Sequence, residues 1–199
     1  MHLVFYIGLG AGLAIAAGIR PFLPALLAGA LASGHALGVS FSHHGYSFLQ
    51  SGAWLLAVTV AFVASYALQI AVGPERFATG PIGAAFAGLG IGIAALLFGA
   101  TLADHGYAAW PGVVAGAACA TLAEASLRPV VTRARARLPD ATSRHALTVY
   151  LDATSLLVAG LVALLHPLGY VAVVLAAWLL LAGRRRAGEK YAGLRILRR

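Results

Sequence analysis

The chain is written mostly in apolar runs, and the lengths of those runs carry the first information. The stretches 54–72 and 81–103 contain no charged residue. Each approaches or exceeds the ~20 residues a helix needs to cross a hydrocarbon core of about 30 Å. Neither shows the polar face that a helix on a soluble core turns toward water. Reading each run against its breakers predicts an all-α, polytopic transmembrane helix bundle of six spans, near 3–32, 53–72, 81–103, 111–127, 146–165 and 168–183. Residues 1–183 then form one transmembrane domain, followed by a basic tail over 184–199. The first run would reach about 45 Å as a single helix. Gly18, Pro21 and Pro24 fall in its middle, so it is expected to kink or break there. Splitting it at Arg20 gives the alternative, seven helices with the N-terminus on the opposite side.

Composition excludes a water-soluble fold: 61% of the 199 residues are hydrophobic and only 10% are charged, against roughly 25% charged in soluble domains. A net charge of +8 suggests nucleic acid until the basic residues are located. Nearly all lie at Arg76, in 128–144 and in the tail, the clustering expected of cytoplasmic loops. The six-span reading therefore puts both termini in the cytoplasm. Anionic lipid headgroups, not nucleic acid, become the expected partner of the tail, where cations flank Tyr191, Leu194, Ile196 and Leu197 as in an interfacial helix. The stretch 133–144 is expected to be a basic loop with at most a short interfacial helix.

The opposite loops carry HHGY at 43–46, DHGY at 104–107 and HPLGY at 166–170, with Tyr46, Tyr107, Tyr170, Trp54 and Trp110 suited to an interfacial aromatic belt. Their near-equal separations suggest three tandem helical hairpins. Ala14-Ile15-Ala16 mimics a signal-peptide cleavage site. The run lacks a basic n-region and stays apolar beyond Arg20, so it reads as a retained first helix. The single cysteine, Cys119, excludes an intramolecular disulfide.

Small residues spaced by four, Gly112, Gly116 and Ala120, Gly88 and Gly92, and Gly8 and Gly12, predict close helix packing, and such ladders also suit a homo-oligomer. Charge at membrane depth is more specific, because it costs about 2.5–3.5 kcal/mol on insertion scales. Three residues qualify: Arg20 at the break, Glu124 and Asp152. Glu124 can pair with Arg128 one turn on. Asp152 has no basic residue three or four positions away, so its partner must be tertiary. An Arg–carboxylate cluster is expected, with Glu124 and Asp152 in the cytoplasmic third and Arg20 nearer the midplane. Ends of a helix broken at Arg20 would make an anion-friendly site. His43, His44, His105 and His166 are candidate metal ligands, but no fixed ligand spacing accompanies them, and no metal or other cofactor is expected. No catalytic constellation is legible, so an enzyme is the least supported class.

GIRPFLPALLAGALA at 18–32, LAEASLRPVV at 122–131 and LTVYLDATSLLVAGLVALLHPLG at 147–169, with the basic C-terminus, resemble the domain of unknown function 4126 family of small bacterial membrane proteins. That family usually has Lys where this chain has Glu124, and an acidic pair where it has Leu151 and Asp152, which marks a divergent member. The resemblance implies a polytopic protein of the bacterial inner membrane and no established activity. Two functions remain from the residues: a transporter or channel-like protein with a polar path at Arg20, Glu124 and Asp152, or a non-catalytic membrane subunit or lipid-binding scaffold.

Overall fold

A computed structural model describes residues 2–42, 45–73, 77 and 80–192, with the side chains of 2 and 186–192 excepted. Among these residues the chain forms seven α-helices: α1 (His2–Ile19), α2 (Phe22–Ser33), α3 (Gly52–Val72), α4 (Gly80–Asp104), α5 (Ala109–Arg137), α6 (Ala141–Leu164) and α7 (Leu168–Ala192), with a short 3-10 turn at Ser47–Gln50. Helices α3 to α7 each contain a stretch long and apolar enough to cross a membrane. Their outward faces match: Leu56 and Val174 are 66% exposed and Trp178 is 62% exposed. Side chains of that size are left uncovered where the surrounding solvent is itself apolar.

The break at Arg20–Pro21 is present, but the two halves of the first run do not continue one another. The start of α1 lies against the α4–α5 and α6–α7 connections: Tyr6 stacks on His105 at 3.4 Å, and Tyr170 Oη donates to Val4 O at 2.6 Å. The chain leaving α2 returns to the same place, where Ser42 N and Oγ donate to Asp104 Oδ1 at 2.7 and 2.6 Å. The expected broken span over 3–32 is therefore a helical hairpin. Its arms measure about 27 and 18 Å, and both ends sit at one end of the bundle, called here the histidine end. A count of apolar residues measures contour length and says nothing of direction. With α1 descending and α7 descending, the described chain begins at the histidine end and finishes at the opposite, basic end.

Other bounds shift for one physical reason, that helices outlast the hydrocarbon when their next turns are good helix formers. Helix α5 runs past Pro129 to Arg137 and α6 begins at Ala141, leaving 138–140 as the connection where a basic loop over 133–144 was expected. Helix α7 likewise continues into the basic tail as far as Ala192. Arg76 and the tail residues Leu194, Ile196 and Leu197 lie outside the described residues.

The interior is built on small side chains. Ala14, Ala16, Ala17, Ala25, Ala28, Ala94, Ala120, Ala123 and Ala159 are fully buried, which lets backbones approach as membrane helices commonly do. A Cβ on Gly18 would lie 2.6 Å from Ala120 Cα, one on Gly112 2.8 Å from Phe98 O, and one on Gly116 2.5 Å from Ala94 O. Gly88 and Gly92 differ: a Cβ on either meets nothing within 4 Å, so this face of α4 packs on no described residue. Gly88→Ala and Gly92→Ala are therefore expected to leave stability unchanged or raise it by up to about 1 kcal/mol each, the helix-propensity gain. Unfolding in mixed bicelles would check this, and a loss of similar size would mean that another copy covers the face.

The described parts of the segment between α2 and α3 pack at the histidine end. The segment turns through His35 (φ 51°) and Leu37 (φ 56°), left-handed conformations that are uncommon outside glycine, then buries Val39, Phe41 and Leu49 over the bundle.

Candidate functional site

The hairpin tip is made by two residues. Arg20 N donates to Ala16 O at 3.1 Å, the last bond of α1. Pro21 then has no N–H to extend the ladder, and it starts α2 as an N-cap (φ −72°, ψ −37°) that gives no side-chain cap. Two helix ends with partial charges of opposite sign thus meet inside the bundle.

Arg20 extends from this tip to Asp152, with Nε 3.2 Å from Oδ1 and side chains 18% and 9% exposed. Asp152 lies midway along α6, not in its basic-end third. Its other oxygen accepts from Tyr66 Oη of α3. One carboxylate therefore ties the hairpin to two further helices. An isolated Arg–Asp pair at this depth would cost more in desolvation than it returns, and the tyrosine hydroxyl satisfies a lone pair the arginine does not reach.

Below the pair a polar ladder follows α6 toward the basic end. Thr148, Asp152 and Ser155 are buried on one face of α6. Gln69 of α3, 2% exposed, donates from Nε2 to Thr148 Oγ1 at 2.9 Å and lies 3.4 Å from His145 Nδ1. Arg135 Nη2 of α5 reaches the same hydroxyl at 3.5 Å, and that hydroxyl donates to Arg144 O at 3.4 Å.

Beside this ladder lies a cavity of about 150 Å³ whose wall runs from Gly18 and Arg20 at the tip, past Glu124 and Arg128, to Arg135 near the end of α5. A second recess of about 120 Å³ adjoins it under Pro21 and shares Arg20, Gly83, Phe86 and Glu124. Glu124 pairs with Arg128 at 3.6 Å on the exposed side of the wall, not with Arg20. Of the three charges expected at membrane depth, Arg20 and Glu124 therefore line this chamber, while Asp152 stands behind Arg20 outside its lining, and the charges form two separate pairs. Arg135 has no carboxylate partner among the described residues. Arg20 Nε meets Asp152 only as an ion pair, while Arg20 Nη2 and Arg135 Nε are buried and donate to no atom of the described protein. Each such group costs about 1–3 kcal/mol, more when charged.

On the far side of α2, a crevice of about 750 Å³ opens between α3 and α4, lined almost wholly by apolar residues including Phe22, Trp54, Leu89, Gly88 and Gly92. The edge-on contact of Phe22 with Phe86, at 6.0 Å, separates it from the polar chamber. At the histidine end, His105 Nδ1 contacts Thr101 O at 2.8 Å, and His166 Nε2 is buried without a partner in the described protein. His43 and His44 lie outside the described residues. Among those described, no three His, Cys, Asp or Glu side chains gather as a metal would require.

Tyr66, Gln69, Thr148 and Arg135 were not singled out from the sequence. A signal for some of them exists: polar residues at 148, 152 and 155 recur at helical spacing in an apolar run, as do 65 and 69 on α3. Arg135 read as one more basic loop residue because the extension of α5 was not anticipated. No protein-family model, curated protein or solved structure matches this chain.

Proposed function

We propose that this chain is a small transporter or channel-like membrane protein whose path runs from the basic end to the tip of the α1–α2 hairpin. The single observation behind this reading is the Arg20–Asp152 pair, held at 3.2 Å at a helix break inside the bundle, whose arginine lines a chamber shared with Glu124, Arg128 and Arg135. Charges at membrane depth are kept where they pair, move or meet a solute, and broken helices supply such sites in transporters. Phe41 and Leu49 are buried at the histidine end, and the chamber extends toward the basic end as far as Arg135. Asp152 is assigned as proton carrier: protonation removes its charge, releases Arg20 and loosens the joint between the hairpin and α6. Rocking of the hairpin against α4 to α6 would then expose the tip to the other end.

By the positive-inside bias the basic end faces the cytoplasm, which places the C-terminus inside and the start of α1 outside. Membership of the domain of unknown function 4126 family and an inner-membrane location in a bacterium belong to the same proposal. The segment shared with that family, 18–32, is the hairpin tip and α2.

The test is proton entry into dye-loaded proteoliposomes after an external acid step, with chloride, phosphate or acetate outside in turn. Asp152→Asn is expected to reduce entry at least about tenfold, as for loss of an obligatory proton carrier. Entry unchanged by the substitution removes the carrier, and no entry with any anion removes transport. The closed Arg20–Asp152–Tyr66 cluster would also suit a second reading, a membrane subunit or lipid-binding scaffold locked by its polar core. A partner co-purifying in fixed ratio, without flux, would favour it.

A further inference from the structure

We propose that the chamber between the hairpin tip and α5 is a binding site for a phosphate-class oxyanion, gripped by Arg20 from one wall and Arg135 from the other. This names the substrate class of the path proposed above and rests on that reading only for the claim that the anion moves.

Three observations converge. The cation count exceeds what the carboxylates answer: Arg20, Arg128 and Arg135 line the chamber, Asp152 pairs with Arg20, Glu124 pairs with Arg128, and Arg135 is left over. The unanswered donors also lie on that chamber's own arginines, since Arg20 Nη2 and Arg135 Nε are buried with no acceptor in the described protein, Arg20 Nε being the atom that faces Asp152. Finally, the start of α2 borders the adjoining recess at Pro21, where its positive end offsets the negative end of α1 at Gly18 and Ile19 and leaves the arginines to set the sign of the wall.

The chemistry of the donors selects the ligand. Guanidinium groups present a planar fork that matches oxyanions with two or more oxygens, and phosphate above all. A halide, a single spherical acceptor, offers no pair of separated oxygens for the fork to match. A phosphate bridging Arg20 and Arg135 would give buried donors from opposite walls acceptors at once. It would also compete with Asp152 for Arg20, so anion binding and protonation of Asp152 favour each other, as coupling requires.

The oxyanion has two routes in. Free phosphate can enter from the basic end, along the wall that ends at Arg135. A phospholipid headgroup could enter from the apolar crevice between α3 and α4 if Phe22 swings away from Phe86, leaving its chains in that crevice.

Binding is measured on the full chain in neutral-lipid nanodiscs, independently of flux. One arm titrates inorganic phosphate against sodium chloride at matched ionic strength and follows thermal unfolding and calorimetric heat. The other replaces a fraction of the neutral lipid with phosphatidic acid and counts retained lipids by native mass spectrometry. Saturable binding in either arm is expected, weakened about tenfold or more in Arg135→Gln, the loss of one charged hydrogen-bonding group. Arg135→Lys, which keeps charge and loses the fork, should fall between and decides the matter if the glutamine variant does not fold. Arg133→Gln, at an exposed position on the same helix, should bind like the parent.

Phosphate binding alone assigns the free anion, and phosphatidic acid retention alone assigns the headgroup. Absence of both, or equal weakening by Arg133→Gln, overturns the site. Binding without flux keeps the site and overturns transport. Flux that phosphate neither supports nor inhibits, with no lipid retained, keeps transport and overturns the oxyanion.

Discussion

Asp152→Ala is expected to lower the unfolding free energy by about 3–5 kcal/mol, the cost of leaving one member of a buried ion pair without its partner. Arg20 is 82% buried as a side chain, by difference from its 18% exposure, and its Nη2 already lacks an acceptor in the described protein. Removing the carboxylate leaves the guanidinium with the Tyr66 hydroxyl, which can supply a lone pair but no charge. The sign should reverse in large part when both partners go: Arg20→Met with Asp152→Leu is expected to recover at least about half of the loss, since the desolvation penalty leaves with the charges. Reversible unfolding in mixed bicelles, read as a double-mutant cycle, measures the coupling directly. A single-variant loss under about 1 kcal/mol would mean that the pair is as solvated as a surface one, and the chamber would then be a wet vestibule without a charge lock.

Gly169→Val is the second large effect. Gly169 opens α7, and a Cβ there would coincide with Gly8 O of α1 and stand 2.9 Å from Gly12 N. A Cβ on Gly8 would in turn lie 2.5 Å from His166 O. The two helices therefore cross backbone on backbone, with no side chain able to yield. Helix α7 must either lift off or carry α1 with it, and Ile15, Ala123 and Ala176 lose their common contact below. The expected loss is about 3 kcal/mol or more, at the upper end of overpacking, measured by the same unfolding assay. Limited proteolysis of the α6–α7 connection should accelerate in parallel. Contrast with the open positions Gly88 and Gly92 separates geometry from composition, because the two kinds of glycine look identical along the chain.

That contrast explains much of what could and could not be read in advance. Arg20, Glu124 and Asp152 stood out because a charge in hydrocarbon is costly enough to need a reason. Tyr66, Gln69 and Thr148 did not, since uncharged polar groups are tolerated at many depths and only their common face on folded helices joins them. The tertiary partner demanded by Asp152 was legible as a requirement. Its identity as Arg20 plus Tyr66, while Glu124 takes Arg128, depends on which walls of the chamber each helix occupies.

Apolar length is a local, additive property, so the order of residues alone settles that this is a helical chain with several segments able to cross a membrane, and that its first run must break near Pro21. Direction after the break is not local. Pro21 ends one ladder without choosing where the next points, and α2 turns back because Gly8, Gly12 and Gly18 seat α1 against α7, α6 and α5 while α2 fills the space between α3 and α6. Contacts between segments distant in the chain made that choice. They put the start of α1 and the end of α7 at opposite ends of the bundle, and they brought Arg20 to Asp152 on one side and to a chamber shared with Glu124 and Arg135 on the other.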